Sequence, residues 1–231
     1  MMTERSRENV RLRRSFKEEI MKVLLLNGSP NKNGCTFTAL SEAAKALNEC
    51  GIETEMFQIG KKPVPGCIAC GSCAKTGKCA FDDAVNEFVS KAAEADGFII
   101  GSPVYYSGVN GSLMSLLDRA FYSSPSYPDD PFRFKPAAAV VSARRAGTTS
   151  AIDQINKYFM IREMPIISSR YWTMVHGNTP EQVMQDEEGL QVMRVLGRNM
   201  AWFLRLVEAG RKAGVKLPEQ EDVRVFTNFI R

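Results

Sequence analysis

A single histidine, His176, stands in the 231 residues. That leaves too few parts for a Ser–His nucleophile or a multi-histidine metal site. Long apolar runs are missing too. The longest, around residues 23–26 and 98–100, suit buried strands and fall far short of a membrane span. No Pro/Gly/Ser-rich linker, low-complexity stretch or internal repeat divides the chain, so a single full-sized domain is expected. The net charge of +4 is small and spread out, which gives no support to nucleic-acid binding. Residues 1–20 carry six Lys/Arg and four Glu but lack the apolar segment of a secretory signal. A cytoplasmic location follows as the expectation. Residues 1–20 are read as an extension outside the domain, with Met21, just before the first strand, as an alternative start.

Cysteine is what the chain has in an unusual arrangement. Four of its six cysteines fall within thirteen residues of "PGCIACGSCAKTGKCAFDD". Cys67, Cys70, Cys73 and Cys79 follow the spacing C-x2-C-x2-C-x5-C. A chain with 44% hydrophobic residues can build its own core and needs no disulfide scaffold. A structural zinc site usually pairs two Cys-x2-Cys knuckles across a longer spacer, and here there is one short block. A metal cradle and a set of uncoordinated redox thiols both remain open on spacing alone.

The rest of the chain alternates strand and helix. "KVLLLN" is a continuous apolar run suited to a central parallel strand. Helical spacing follows over 36–50, with a second strand at 54–59 and the cysteine loop at 66–80. Asp82 or Asp83 caps a helix carrying Val85, Phe88, Val89 and Ala92. Further strands are expected at 97–106, 136–143 and 164–169, with helices at 112–121, 149–159 and 187–213. Cys50 reads as core, Trp172 and Trp202 as core or interface aromatics, and His176 as a packed or surface residue. The pattern predicts an α/β fold: a five-stranded parallel sheet, order 2-1-3-4-5, with helices on both faces in three layers. The domain spans 21–213. The tail, 214–231, is apolar enough to pack on the domain or on a neighbouring subunit.

Ligands of such sheets bind beyond the carboxyl ends of the strands. After strand one comes "NGSPNKNGCT", small and polar and opening onto a helix, which suits a phosphate at the helix N-terminus. It is neither a P-loop nor a G-x-G-x-x-G fingerprint. After strand three comes "GSPVYYSGVNGSL", whose tyrosines and backbone amides suit a flat aromatic ligand. After strand four comes "SARRAGTTS", with the positive charges of Arg144 and Arg145.

These segments, "KVLLLNGSPNKNGCT" and "DGFIIGSPVYYSGVNGSLMSLLDRAF" above all, resemble the NADPH-dependent FMN reductase group of the flavodoxin-like superfamily. The resemblance runs over about residues 21–212. It implies that Ser29, Asn31, Gly34, Cys35 and Thr36 hold the FMN phosphate. Pro103, Val104, Tyr105, Tyr106, Ser107 and Gly108 would line the ring, with Asn110 nearby. Ser142, Ala143, Arg144 and Gly147 would close its far side. Cys35 stands where the group often has Asn or Ser, which weakens a side-chain contact but spares a backbone one.

Iron–sulfur flavoproteins of that superfamily carry a compact cysteine motif after the second strand. The resemblance therefore assigns Cys67, Cys70, Cys73 and Cys79 to a [4Fe–4S] cluster. Gly66, Gly71 and Gly77 allow the tight turns, and Lys75 and Lys78 offset the negative charge. The implied activity is an FMN-dependent oxidoreductase, taking electrons from NAD(P)H or a reduced carrier and passing them to a small-molecule or protein acceptor. No catalytic side chain is required, because the flavin carries the chemistry; Arg144 or Arg145 would tune it. A homodimer or homotetramer is implied, with the cysteine loop of one chain facing a neighbour's FMN. The alternatives are a flavin-only NAD(P)H-dependent reductase of free flavins, quinones, azo or nitro compounds, and an electron carrier. Carriers are commonly acidic, and this chain is basic.

Overall fold

A computed structural model of the chain describes residues 20–124, 130–218 and 227. All but the last residue of the expected extension (1–20) and most of the expected tail (214–231) lie outside the described residues.

The sheet begins with β1 (Lys22–Asn27), flanked by β2 (Glu53–Gln58) and β3 (Gly97–Tyr105). Then come β5 (Ala137–Ala143) and β6 (Met174–His176), all parallel, in the order β2-β1-β3-β5-β6. A short β4 (Gly108–Val109) folds back antiparallel on β3. The helices are α1 (Cys35–Glu49), α2 (Ser72–Thr76), α3 (Ala84–Ala93), α4 (Gly111–Ser123), α5 (Thr148–Ile161), α6 (Pro180–Val183) and α7 (Glu187–Lys212). With β4 set aside, the order is the expected 2-1-3-4-5. No helix among the described residues is long and apolar enough to cross a membrane.

β1 is apolar throughout because both its faces are covered. Leu24 and Leu26 enter a core with Phe88, Phe98, Leu116 and Phe132, from α3, β3, α4 and the segment before β5. Val23 and Leu25 enter the opposite core with Leu40, Val140, Leu196 and Met200, from α1, β5 and α7. In the first core Phe132 is fully buried and stacks on Phe121 with ring centroids 4.3 Å apart. Trp172 and Trp202 belong to neither core; both are exposed.

The fifth strand is not where the sequence places it. Residues 164–169 make only a single bridge, Ile166 to Ala137. Pro165 O accepts from Ala137 N and Ile167 N donates back to Ala137 O, the two bonds of that one bridge, and the ladder goes no further. The chain leaves the sheet and returns at β6, eight residues later, a segment without a clear strand pattern.

Asp186 joins β6 to the longest helix. Its Oδ1 accepts from Gly189 N at 2.9 Å, capping α7, and its Oδ2 accepts from His176 N at 2.7 Å. Asp186→Ala removes the cap and the second acceptor together, and is expected to lower unfolding stability by about 2 kcal/mol in a urea titration.

Candidate functional site

The loop after β1 is built on side-chain amides. Buried Asn27 accepts from Ser29 N at 3.1 Å and donates to Gln58 Oε1 at 2.6 Å. Gln58 in turn donates to Ser29 O at 2.6 Å, and Ser29 Oγ accepts from Asn31 N at 3.1 Å. The turn therefore has a rigid polar frame before α1 starts. Gly34 stands at the N-cap, and no side chain caps the first turn of α1. Its amides are turned to a helix N-terminus suited to an anion. Asn27 and Gln58 were not among the expected site residues, although each is a polar residue closing a strand.

Thr36 and Ser142, expected as separate ligand contacts, meet each other. Their hydroxyls lie 2.8 Å apart in a buried bond that ties α1 to the end of β5. Cys35 turns its thiol toward Gly177 O, 3.7 Å away, and burial pushes that thiol's pKa up. The loop after β6 thus joins the site.

The segment after β3 is a hairpin rather than an irregular loop. Tyr106 (φ 50°) and Ser107 (φ 60°) occupy a two-residue turn between β3 and β4. Positive φ at both central positions suits the twist of a hairpin but is a conformation non-glycine residues seldom adopt. Tyr105 and Tyr106 are exposed there, and Pro103 and Val104 are partly buried. Asn110 is buried, and its Oδ1 caps α4 by accepting from Ser112 N and Leu113 N. That carbonyl is committed to the helix.

α5 holds the hairpin from behind: Gln154 Oε1 accepts from Val109 N at 2.9 Å. Gly147 (φ 92°) abuts the hairpin so closely that a Cβ there would lie 2.6 Å from Ser107 Cα. Ala143 is buried at the end of β5, while Arg144 and Arg145 are exposed. His176 is also exposed, and its Nε2–H donates to Arg145 O at 3.1 Å, bracing the loop. The connections after β1, β3, β5 and β6 therefore meet at one edge of the sheet.

The cysteine loop lies elsewhere, against the body of α4. Gly71 (φ 68°) and Gly77 (φ 71°) flank the single turn of α2, as the tight turns require. Gly66 keeps a negative φ. Cys67, Cys70, Cys73 and Cys79 line one small cavity of about 20 Å³ with Ile68, Phe81, Arg119 and Tyr122. All four are free thiols; Cys73 is buried, Cys79 partly so, and Cys67 and Cys70 are exposed. Among the described residues no three Cys, His, Asp or Glu side chains converge closely enough for a single metal ion. A cubane, whose four thiolates bind four different irons, does not need that convergence.

Arg119 is the residue that sequence reading missed. Its side chain is 1% exposed. Nε and Nη2 each donate to Cys79 Sγ at 3.2 Å. Nη1 and Nη2 also form a fork on Asp83, at 2.7 and 2.9 Å, and Nη1 donates to Pro65 O at 3.2 Å. All five guanidinium donors are thereby used. Burial works against the charge, but the bonds to Asp83 and Cys79 outweigh it and hold the pKa above its usual value. Asp83 also caps α3 through Val85 N, as expected. Lys75 and Lys78 are exposed, so the positive charge placed at the sulfur is Arg119. One signal was available. Arg119 shares the apolar face of α4 with Leu113, Leu116 and Ala120, where a charge needs a buried partner.

Known proteins resemble this chain in sequence and fold. Residues 21–179 fit the family described as NADPH-dependent FMN reductase. An iron–sulfur flavoprotein of Methanocaldococcus jannaschii is 37% identical over 195 residues, covering 81% of this chain and all of that protein. Two solved structures share the fold. RosB with bound 8-demethyl-8-formylriboflavin-5'-phosphate has a TM-score of 0.65 at 14% identity, covering 91% of this chain and 93% of that one. A flavodoxin from the domain Archaea has a TM-score of 0.53 at 14% identity, covering 80% and 99%. The chain belongs to the NADPH-dependent FMN reductase family, in its flavodoxin-like iron–sulfur flavoprotein group, and is an FMN-dependent oxidoreductase.

Proposed function

We propose that this oxidoreductase is of the iron–sulfur flavoprotein type, with FMN in the strand-end loops and a [4Fe–4S] cluster on Cys67, Cys70, Cys73 and Cys79. NAD(P)H or a reduced carrier is the donor, and a small molecule or protein is the acceptor. The observation that carries it is the shared cysteine cavity, in which a buried, fully bonded arginine faces one sulfur. Four free cysteines and a neutralising guanidinium fit the anionic cluster's donor set.

When bound, FMN exchanges electron pairs and the cluster single electrons, so together they couple two-electron donors to one-electron acceptors. The protein's part is binding and orientation. The uncapped first turn of α1, with Ser29 and Asn31 beside it, would take the phosphate. The Tyr105–Tyr106 hairpin would cover a ring face, with Gly108 leaving space, and Gly147 would hold the hairpin against the loop after β5. Arg144 or Arg145 would place positive charge at the ring edge, where the anionic reduced flavin gains from it.

The cysteine loop and the flavin loops occupy different stations along α4. Arg119 lies nine residues from the N-cap Asn110, about 13 Å at the helical rise. Ile68 and Tyr122, exposed at the rim of the cysteine cavity, suit an apolar partner. Both features support a homo-oligomer in which the cysteine loop faces a neighbouring subunit's FMN. Exposed Trp202, Leu206 and Val207 on α7 offer a further contact face.

The test is an anaerobic absorption spectrum of fresh protein, with iron and acid-labile sulfide assayed on the same sample. Flavin bands over a broad absorption near ~400 nm, with about four irons per chain, are expected. Clean flavin bands without iron would leave a flavin-only reductase, and no flavin would overturn the flavin site.

A further inference from the structure

We infer that Arg119, set against Asp83, tunes the reduction potential of the cluster through Cys79. The inference rests on the cluster proposed above.

The geometry makes Cys79 unlike the other three cysteines. Its backbone is clamped by Asn86, whose Oδ1 accepts from Cys79 N and whose Nδ2 donates to Cys79 O, both at 3.0 Å. Its sulfur accepts two hydrogen bonds from one guanidinium. Cys67 and Cys70 are exposed and carry no such bond. Phe81 lies under the guanidinium, 4.7 Å from ring centroid to Cζ, and keeps water from that face.

Hydrogen bonds to cluster sulfurs, local charge and solvent exposure set cluster potentials. Reduction adds negative charge, so a buried cation bonded to a ligand sulfur stabilises the reduced form and raises the potential. Asp83 opposes this by neutralising part of the cation. The two residues therefore act with opposite sign on the same sulfur. Arg119 is a positioning residue here, acting through Cys79.

The experiment is a potentiometric titration of the anaerobic holoprotein, followed by the electron paramagnetic resonance of the reduced cluster. Arg119→Gln is expected to weaken reduction at least tenfold, about 59 mV lower for a one-electron couple. Asp83→Asn is expected to shift the potential the other way. Asparagine keeps the cap on α3 and an oxygen for Arg119, so this variant holds the fold while removing the counter-charge. Arg119→Lys keeps the charge but not the fork, and should recover part of the loss.

A merely structural arginine would lower thermal stability in these variants and leave both potentials at the wild-type value, which would overturn the inference. Should Arg119→Gln not retain iron, Asp83→Asn decides alone: a raised potential supports the tuning role and an unchanged one overturns it. Absence of iron from the wild type would overturn the cluster itself, a result distinct from iron present with unmoved potentials.

Discussion

Cys79→Ser, purified without oxygen, is expected to carry less than one iron per chain in place of about four, while its FMN content stays at the wild-type level. A serine hydroxyl does not ionise near neutral pH and is a hard ligand where the cluster requires a soft thiolate. The fold should survive the change. Arg119 loses a sulfur acceptor but keeps its fork on Asp83 and its bond to Pro65 O. The expected loss in stability is about 1.5–3 kcal/mol, the scale of a hydrogen bond to a charged group.

The flavin should be untouched because the strand-end loops do not share the cysteine cavity. A control lies on the other side of the sheet. Cys50 packs against the core between the sheet and α7, so Cys50→Ser should leave iron unchanged. Iron at the wild-type level in Cys79→Ser would remove Cys79 from the ligand set.

Gly147→Ala should separate the flavin site from the cysteine loop in the opposite sense. Its φ of 92° lies where a Cβ meets the carbonyl, a cost of about 1–2 kcal/mol. The added carbon would also stand 2.6 Å from Ser107 Cα. That neighbour is backbone and cannot rotate away, so the hairpin itself must shift, adding about 1–3 kcal/mol.

The hairpin carries Tyr105 and Tyr106, and its displacement should weaken FMN binding at least tenfold in a flavin-fluorescence titration, about 1.4 kcal/mol. Stability in urea should fall by about 2–5 kcal/mol. Gly111→Ala is the matched control: its Cβ would meet nothing within 4 Å, and it lies in the first turn of α4. An unchanged FMN affinity in Gly147→Ala would detach the loop after β5 from the flavin site.

The legible parts of this chain are those decided by neighbours in sequence. A continuous apolar run such as residues 23–26 reports a strand covered on both faces, because only that environment removes every side chain from water. The polar, glycine-bearing loops after β1, β3 and β5 announce themselves by their composition at a strand end. The cysteine spacing is likewise local, since the four thiols are close in sequence and the positive φ of Gly71 and Gly77 turns the chain between them.

What escaped reading depended on partners far away along the chain. The last strand, at 174–176, is a strand only because β5 offers it an edge; the more strand-like 164–169 makes a single bridge there. The pairing of Thr36 with Ser142 joins residues 106 apart. It ties α1 to β5 through two residues expected as ligand contacts. The commitment of Asn110 to capping α4 was local in principle, yet it follows from a hairpin that only the fold defines.

By itself, then, the sequence determined the alternating α/β order, the loops at the strand ends, the family and the four-cysteine motif. These rest on periodicity, small residues and short spacing, all written within a few turns or strands. Only the tertiary structure decided that Arg119 and Asp83, 36 residues apart, meet at Cys79. A buried charge is stable only beside its counter-charge and acceptors, and bringing them together is the work of the packed core.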